Sequence, residues 1–353
     1  MSKIYVSTST YNNEDTIARS IESIINQTHT DWCYCICNNG STDKTGEIIE
    51  EYAKKDNRIK TFHMKENWVF TEEFKKFLEI GHNLNDDEYL CFFDGDDTYN
   101  PDFMEKTLAF AKEEDLDYVV TSSNFLYPNG TTNIISVKDL VITKENFIEL
   151  MPEFFLSISH AIWGKLYRGD LLRKIPIFDE NTFRSVGFTY DAYFTKEFFK
   201  NSVRTGFMSY IGYNYYSGFS KNSLYANFKP AFLGACNIIH DKSIEMLEEK
   251  ATKITDEAIN IALQRYCSSL FGHLRVMLLI TPQLSNIKKL ELVNQVLQYK
   301  YLKQAAENKV GMLGDVLKVI YGFLSKLQPQ MGNFKQFQQT AKNYQKLVEL
   351  AKK

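Results

Sequence analysis

The chain has 353 residues, 44% of them hydrophobic and 24% charged, with a net charge of −3. Such a composition excludes a disordered or fibrous chain and suffices for two domains, or for one α/β domain with a large appendage. The weak net charge gives nucleic acid no footing as a partner, and no apolar run reaches the ~18 residues of a membrane-spanning helix.

The N-terminus opens as a buried strand and lacks the long apolar stretch of a signal peptide. The six cysteines follow no metal-like or disulfide-like spacing; Cys33, Cys35 and Cys37 alternate along one strand as small hydrophobes. A reduced, cytoplasmic setting is the expectation. Charge is unevenly spread. Residues 229–353 carry 18 Lys+Arg against 10 Asp+Glu, or +8, whereas the first 228 hold 23 basic and 34 acidic groups, or −11. A basic C-terminal part can lean on an anionic surface or simply present a solvated face.

In chain order, IYVSTS reads as a strand, and a helix over about Glu14–Gln27 follows, with Ile17, Ile21, Ile24 and Ile25 at helical spacing. WCYCIC is the next strand and NNGSTD the turn after it, with Ser41 or Thr42 as the cap of a helix carrying Ile48, Ile49 and Tyr52. A third strand is expected over Ile59–Met64 and a helix over Thr71–Ile80. The apolar strand YLCFF then ends abruptly in DGDD. A helix from about Pro101 and the strand DYVVTSSNFLY complete the pattern, and Tyr127-Pro128-Asn129-Gly130 marks a hairpin return. The alternation predicts an α/β fold, Rossmann-like, with a mostly parallel central sheet and helices on both faces. Ligands of such sheets bind beyond the C-terminal ends of the strands, where both NNGSTD and DGDD fall. From about Lys229 the pattern turns helical. The predicted organisation is an α/β domain over 1–228, divided near residue 125, and an α-helical region over 229–353.

The run FFDGDDTYNPD places three carboxylates within four positions directly after a buried strand. That crowding is electrostatically costly unless a cation joins it. Mg²⁺ or Mn²⁺ together with a diphosphate suits such oxygens, the metal offsetting charge as a nucleotide diphosphate leaves. The bland alternative is an acidic turn that caps the helix near Pro101 through Asp97 or Asn100.

Thr10-Tyr11-Asn12, the Ser-Ile-x-Ser-Ile-x-x-Gln-Thr ending over Ser20–Thr28, Gly40-Ser41-Thr42-Asp43, and Asp94-x-Asp96-Asp97 with Pro101 stand in this order over residues 1–125. As an ordered set they resemble the N-terminal half of inverting family-2 glycosyltransferases of the GT-A fold, in the nucleotide-diphospho-sugar transferase superfamily. The resemblance implies that Ser9, Thr10, Tyr11 and Glu14 line the nucleotide and that Asn38 and Asn39 hold its base. Relatives usually have two Asp there; an amide still accepts a hydrogen bond but lacks the charge and also donates. It further implies Asp94 and Gly95 beside the ribose, with Asp96, Asp94 and Asp97 at the metal, Mn²⁺ or Mg²⁺. Asn67-Trp68-Val69-Phe70 departs from the usual Gly-containing segment, leaving Lys75 or Lys76 as a diphosphate contact or as exposed helix lysines.

Inversion needs a base, and Gly187-Phe188-Thr189-Tyr190-Asp191 is similar to the family's Glu-Asp-like motif, making Asp191 the candidate. The competing reading of Asp191 is a first-turn acid stabilised by the helix dipole. His160-Ala161-Ile162-Trp163-Gly164-Lys165-Leu166-Tyr167 resembles a Trp-x-Lys-Leu-Tyr segment; there Trp163 would stack on a sugar and Lys165 touch phosphate. Relatives often carry Arg after the tyrosines of Tyr213-Asn214-Tyr215-Tyr216, whereas this chain has Ser217, which leaves Lys221 as a phosphate contact.

The implied activity moves a sugar from a nucleotide-diphosphate sugar, with UDP as the leading base, to an acceptor hydroxyl on a saccharide, a lipid-linked molecule or a protein. Met312–Leu327 has an apolar face suited to a membrane interface, to packing or to a homo-oligomer contact. Two alternatives stand beside this reading. A nucleotidyltransferase would need a Gly- and basic-rich N-terminal signature, which STSTYNNED lacks. A non-catalytic sugar- or partner-binding member of the same fold is mildly favoured by Asn38-Asn39 and Tyr190.

Overall fold

The computed structural model describes residues 2–67, 72–156, 161–176, 190–218 and 229–353, with backbone alone for 72–74 and 153–156. The chain divides into two compact units; among the described residues the second holds Tyr190 and residues 229–353.

The first unit is built on strands β1 (Ile4–Thr10), β2 (Trp32–Asn38), β3 (Ile59–His63) and β4 (Tyr89–Phe92), joined by helices α1 (Ile17–Ile25), α2 (Thr45–Lys55) and α3 (Glu72–His82). β1 pairs parallel with β2 and with β4, and β2 parallel with β3. Later elements are β5 (Thr98–Tyr99), α4 (Phe103–Glu113), β6 (Tyr118–Leu126), β7 (Thr132–Ile135), β8 (Leu140–Ile142) and α5 (Phe147–Leu156). They are followed by β9 (Lys165–Arg168), the single turn α6 (Gly169–Leu172), α7 (Tyr190–Asn201) and β10 (Thr205–Tyr216). The sheet runs β3-β2-β1-β4-β9-β6-β10-β5, with β7 on β6 and β8 on β10. The first four strands have the parallel order that alternation predicts. Beyond them β9 lies antiparallel between β4 and β6, so the second half of the sheet is mixed. The expected return at Tyr127–Gly130 forms: Gly130 N–H donates to Tyr127 O, and β6 and β7 pair antiparallel.

Register explains where the polar loops meet. Thr10 lies opposite Asn38, and Asn38 opposite His63, so three parallel strands end level. Phe92 lies opposite Ser7, and two residues further on Asp94 leaves the sheet beside the end of β1. The long β10 shifts register between Met208 and Tyr213, and its far end pairs with Tyr99 and Thr98. Such irregularities re-aim side chains; here Tyr213 and Tyr216 are delivered to the acidic loop. An aromatic stack lies beneath that loop, with Phe93 on Tyr99 at 4.9 Å and Tyr99 on Phe103 at 3.9 Å.

Two boundaries differ from expectation. α1 begins at Ile17 rather than near Glu14, because Thr16 and Ile17 both donate to Asn13 O and Asn12 is left-handed at φ 51°. Asp43, not Ser41 or Thr42, serves the start of α2, its Oδ1 accepting from Thr45 N.

The second unit is helical: α8 (Ala231–Lys250), α9 (Asp256–Arg275), a π-turn (Val276–Ile280), α10 (Asn286–Val296), α11 (Lys300–Glu307), α12 (Leu313–Met331) and α13 (Lys335–Lys352). Thr255 and Ser285 cap α9 and α10 through their hydroxyls. Leu263, Cys267, Leu270 and Leu274, at helical spacing on α9, are buried among Val293, Leu302, Val316 and Ile320. The apolar face expected over Met312–Leu327 turns into this core through Leu313, Val316, Ile320, Phe323, Leu324 and Leu327. Among the described residues no helix is long and apolar enough to cross a membrane. Leu270→Ala is expected to cost about 2–5 kcal/mol of stability, the range for emptying a closed core position, measured by urea unfolding of the full chain.

Candidate active site

The acidic loop is held by one side of α1. Thr16 Oγ1 donates to Gly95 O at 3.4 Å, Arg19 Nη2 to Asp96 O at 2.5 Å, and Ser20 Oγ to Asp97 O at 2.8 Å. One turn further, Ser23 Oγ accepts from Tyr99 N, and Gln27 donates to Asn100 O while accepting from Met104 N. Thr28 N donates to Pro101 O. These positions form a polar stripe at helical spacing beside the buried Ile17, Ile21 and Ile24. The Ser-Ile-x-Ser-Ile-x-x-Gln-Thr pattern therefore has a physical meaning: its isoleucines enter the core, and its polar residues engage backbone groups between Asp97 and Met104.

The loop is pinned from the opposite side by β10. Asp97 is 1% exposed, with Oδ2 accepting from Tyr213 Oη at 2.7 Å and Oδ1 from Tyr216 N at 2.8 Å. The Tyr213 hydroxyl also accepts from Asp94 N. Both oxygens of Asp97 are thus engaged by the protein, and its carboxyl is turned inward as a loop anchor. Gly95 passes so close to β1 that a Cβ there would lie 2.6 Å from Thr10 Oγ1. Arg19 stacks on Tyr216, 3.6 Å from the ring centroid, and links the two supports.

Asp94 and Asp96 are partly accessible. Burial raises the Asp94 carboxyl well above the usual range, and the charges of Asp96 and Asp191 add to this. Burial also raises Asp96, against Arg19, which favours its charged form. Asp191 lies in the first turn of α7, whose Phe194 packs edge-on against Phe92 at 5.5 Å, bringing the start of this helix toward the end of β4.

The turn after β2 is interlocked with the loop after β1. Asn12 N donates to Ser41 Oγ, Asn13 N to Thr45 Oγ1, and Glu14 N to Asp43 Oδ2. In return Asn12 Oδ1 accepts from Thr42 N, and Glu14 Oε2 from Lys44 N. Glu14, expected at the nucleotide, is thus part of a loop-to-loop clasp. Asn39 N donates to Thr10 O, and Asn38 Oδ1 accepts from Ser41 N. Gly40 sits at φ 70°, and a Cβ there would lie 2.3 Å from Glu66 C. Ser9, Thr10, Tyr11, Asn38 and Asn39 all lie at this end of β1 and β2, where Thr10 stands opposite Asn38.

The remaining candidates lie in different settings. Trp163 is 8% exposed and stacked on Tyr213 at 4.5 Å, inside the aromatic core. Lys165 is fully buried on β9, where Nζ donates to Ala161 O. Burial lowers its ammonium to about 7, opposed by the charge of Asp191 and aided by Lys196. Lys76 is exposed, 4.8 Å over Phe62. Lys221, His160 and Gly187–Thr189 lie outside the described residues. Arg19, Tyr213 and Tyr216 were not singled out for this loop from sequence. The helical phase of Arg19 with Thr16, Ser20 and Ser23 carried that signal, whereas β10's register shift has no sequence signature.

A mixed α/β sheet with acids beyond β4 and a polar turn beyond β2, followed by a helical region, defines the GT-A class of glycosyltransferase fold. Residues 5–175 match the family model described as glycosyl transferase family 2. The chain is similar to EpsH of Bacillus subtilis, named a glycosyltransferase, at 33% identity over 46% of either chain. It is also similar to TuaG of that organism, named a teichuronic acid biosynthesis glycosyltransferase, at 31% identity over 36% of this chain and 49% of that one. These matches span about half the length of those relatives. Among solved structures, S. aureus TarS 1–349 in complex with UDP-GlcNAc aligns over 99% of this chain and 91% of its own, with a TM-score of 0.63 and 18% identity. Residues 5–175 thus resemble a family-2 glycosyltransferase domain.

Two measurements check the site's construction. Asp97→Asn places an amide N–H₂ against one of two donors, so stability should fall by about 1–3 kcal/mol, the cost of a buried unsatisfied group, in urea unfolding. Folded Lys165 has its proton affinity lowered to about 7, below the ~10.4 of an unfolded lysine. Between those values the unfolded chain binds the extra proton, so Lys165 makes stability rise with pH there. Lys165→Met should flatten the Tm-versus-pH curve from pH 7 to about 10.

Proposed function

We propose that the protein transfers a sugar from a nucleotide-diphosphate α-sugar, with UDP as the nucleotide, to an acceptor hydroxyl with inversion at the anomeric carbon. The observation that carries this reading is the recessed pair Asp94 and Asp96 beyond β4, both driven toward protonation by burial, with Asp191 close enough for its charge to act on Asp94. Two carboxylates with donor phosphates make a set that Mn²⁺ or Mg²⁺ accepts, since such ions are commonly held by one or two carboxylates plus substrate phosphates. Among the described residues no group of three His, Cys, Asp or Glu is placed to hold a metal ion by itself. The cation would supply positive charge for the departing diphosphate.

The chain's own residues do the rest. Asp96 and Asp94 would hold the ion, while α1 and β10 keep their loop from moving. Asp191 accepts the proton of the acceptor hydroxyl as its oxygen attacks the anomeric carbon. The new C–O bond forms while the bond to phosphate breaks, and the nucleotide diphosphate leaves with the electron pair. The clasped turn carrying Asn38 and Asn39 receives the base. UDP as the nucleotide is supported by the TarS complexes with UDP-GlcNAc and UDP, which share this fold. Candidate acceptors are saccharide, lipid-linked or protein hydroxyls, and the relative named for teichuronic acid biosynthesis favours a surface polysaccharide.

The test is diphosphate release from a panel of UDP-, GDP-, CDP- and TDP-sugars with Mn²⁺, with UDP binding followed by calorimetry. Asp96→Ala should abolish the metal-dependent part of UDP binding. Asp191→Asn should retain UDP binding and lower kcat by about 10²–10⁴, the range for a lost general base. Absence of release from every donor, or full activity of Asp191→Asn, would overturn the reading.

A further inference from the structure

The polarity of one amide can be read from its neighbours. Asn38 is 7% exposed, and its side chain meets the Ser41 backbone and the exposed His63 ring. Oδ1 stands 3.1 Å from Ser41 N, a backbone donor. Nδ2 stands 3.0 Å from His63 Nδ1. Ser41 N–H can only donate, so the atom facing it must be the oxygen, and the nitrogen must face His63. An amide nitrogen only donates, so His63 Nδ1 must accept and carries no proton. The ring proton then resides on Nε2, which lies 2.9 Å from Glu50 Oε1. Glu50 can receive it: its carboxyl is held below the usual range by the Thr61 hydroxyl and by His63.

The space around the amide leaves little room for rearrangement. A Cβ on Gly46 would lie 2.7 Å from Asn38 Nδ2 and 3.7 Å from the His63 ring. Asn38 O accepts from both Gly40 N and Met64 N, tying the backbone of the turn to the end of β3. Among the described residues, Asn38 faces the His63 ring from β2 and Glu50 from α2; Thr61 on β3 and Lys54 on α2 act on Glu50.

We infer that His63 is a positioning residue for the nucleotide-binding turn: its neutral, Nε2-protonated ring fixes the direction of the Asn38 amide, and a second proton on Nδ1 unfastens the turn at Ser41. The second proton would set N–H against N–H₂. Rotating the amide would turn Nδ2 toward Ser41 N–H and lose that bond as well, and turning the exposed ring away would leave the amide without its second partner. Glu50 pairs with the ring in either state, so it stabilises the protonated ring without repairing the turn. The inference rests on the reading of the Asn38–Asn39 turn as the donor's base site, but its first readout does not. An aspartate at position 38 removes the conflict, because a carboxylate accepts from Ser41 N–H and from a protonated Nδ1–H alike.

The experiment uses the full chain. Long-range ¹H–¹⁵N spectra of the His63 ring at pH 8 should show the Nε2–H form, and the Ser41 amide signal should move as His63 gains its second proton. UDP affinity with Mn²⁺, by calorimetry, should weaken several-fold more between pH 8 and pH 5.5 in the parent than in Asn38→Asp. Titration of the UDP phosphate and of metal binding is common to both proteins and cancels in that ratio. His63→Phe should bind UDP weakly at both pH values. An Nδ1–H tautomer at pH 8, or parallel pH profiles for the parent and Asn38→Asp, would overturn the inference. If UDP binds neither protein, the donor reading fails, and the ring spectrum with the Ser41 signal still decides the His63–Asn38 relation.

Discussion

The site depends on the hydrogen bonds that α1 makes to the backbone of the acidic loop. Thr16, Arg19, Ser20, Ser23 and Gln27 engage backbone groups between Gly95 and Met104, in helical phase with the buried isoleucines. A loop carrying three carboxylates would otherwise separate by repulsion and seek water. Peptide carbonyls bound to a helix that is itself packed on the core cannot follow the side chains outward. One helix therefore does two things: it closes the hydrophobic layer, and it fixes the direction of Asp94 and Asp96.

The three acids are chemically alike and structurally unequal. Asp97 gives both oxygens to Tyr213 and Tyr216, so it joins the loop to β10. Asp94 and Asp96 remain at the edge of the sheet, where burial raises both carboxyls, the charge of Asp96 adds to the shift of Asp94, and Arg19 opposes that of Asp96. The cost of crowding them is a property of the loop's tethering rather than of any one carboxylate. Lys165 belongs to the same balance. It is buried rather than extended toward solvent, and its charge and that of Asp191 act on each other inside the fold.

The clasp between the loops after β1 and β2 is built from side chains that accept from backbone N–H groups of the other loop. Asn12, Ser41, Asp43 and Glu14 each serve in this way. A motif such as Gly-Ser-Thr-Asp can thus be needed for a turn's shape without a ligand touching every member. The same holds for Asn38, whose amide is engaged by Ser41 and His63. At such places a resemblance names the residues of a site, and hydrogen-bond polarity separates those that contact a ligand from those that hold its contacts.

What the sequence determined by itself is what local periodicity and strand endings encode: the α/β alternation, α1 with its isoleucine stripe, the polar clusters beyond β2 and β4, and the helical C-terminal region. These follow from spacing alone, because a period of 3.6 or 2 and an abrupt apolar-to-polar change are properties of neighbouring residues. The tertiary structure decided which polar residue does what. Asp97 turns inward because β10 shifts register 116 residues later and presents Tyr213. Trp163 is core because Tyr213 lies under it, and the face of Met312–Leu327 is spent on packing because α9 meets it. Each role is set by partners distant in the chain, and no window of sequence contains both members of such a pair.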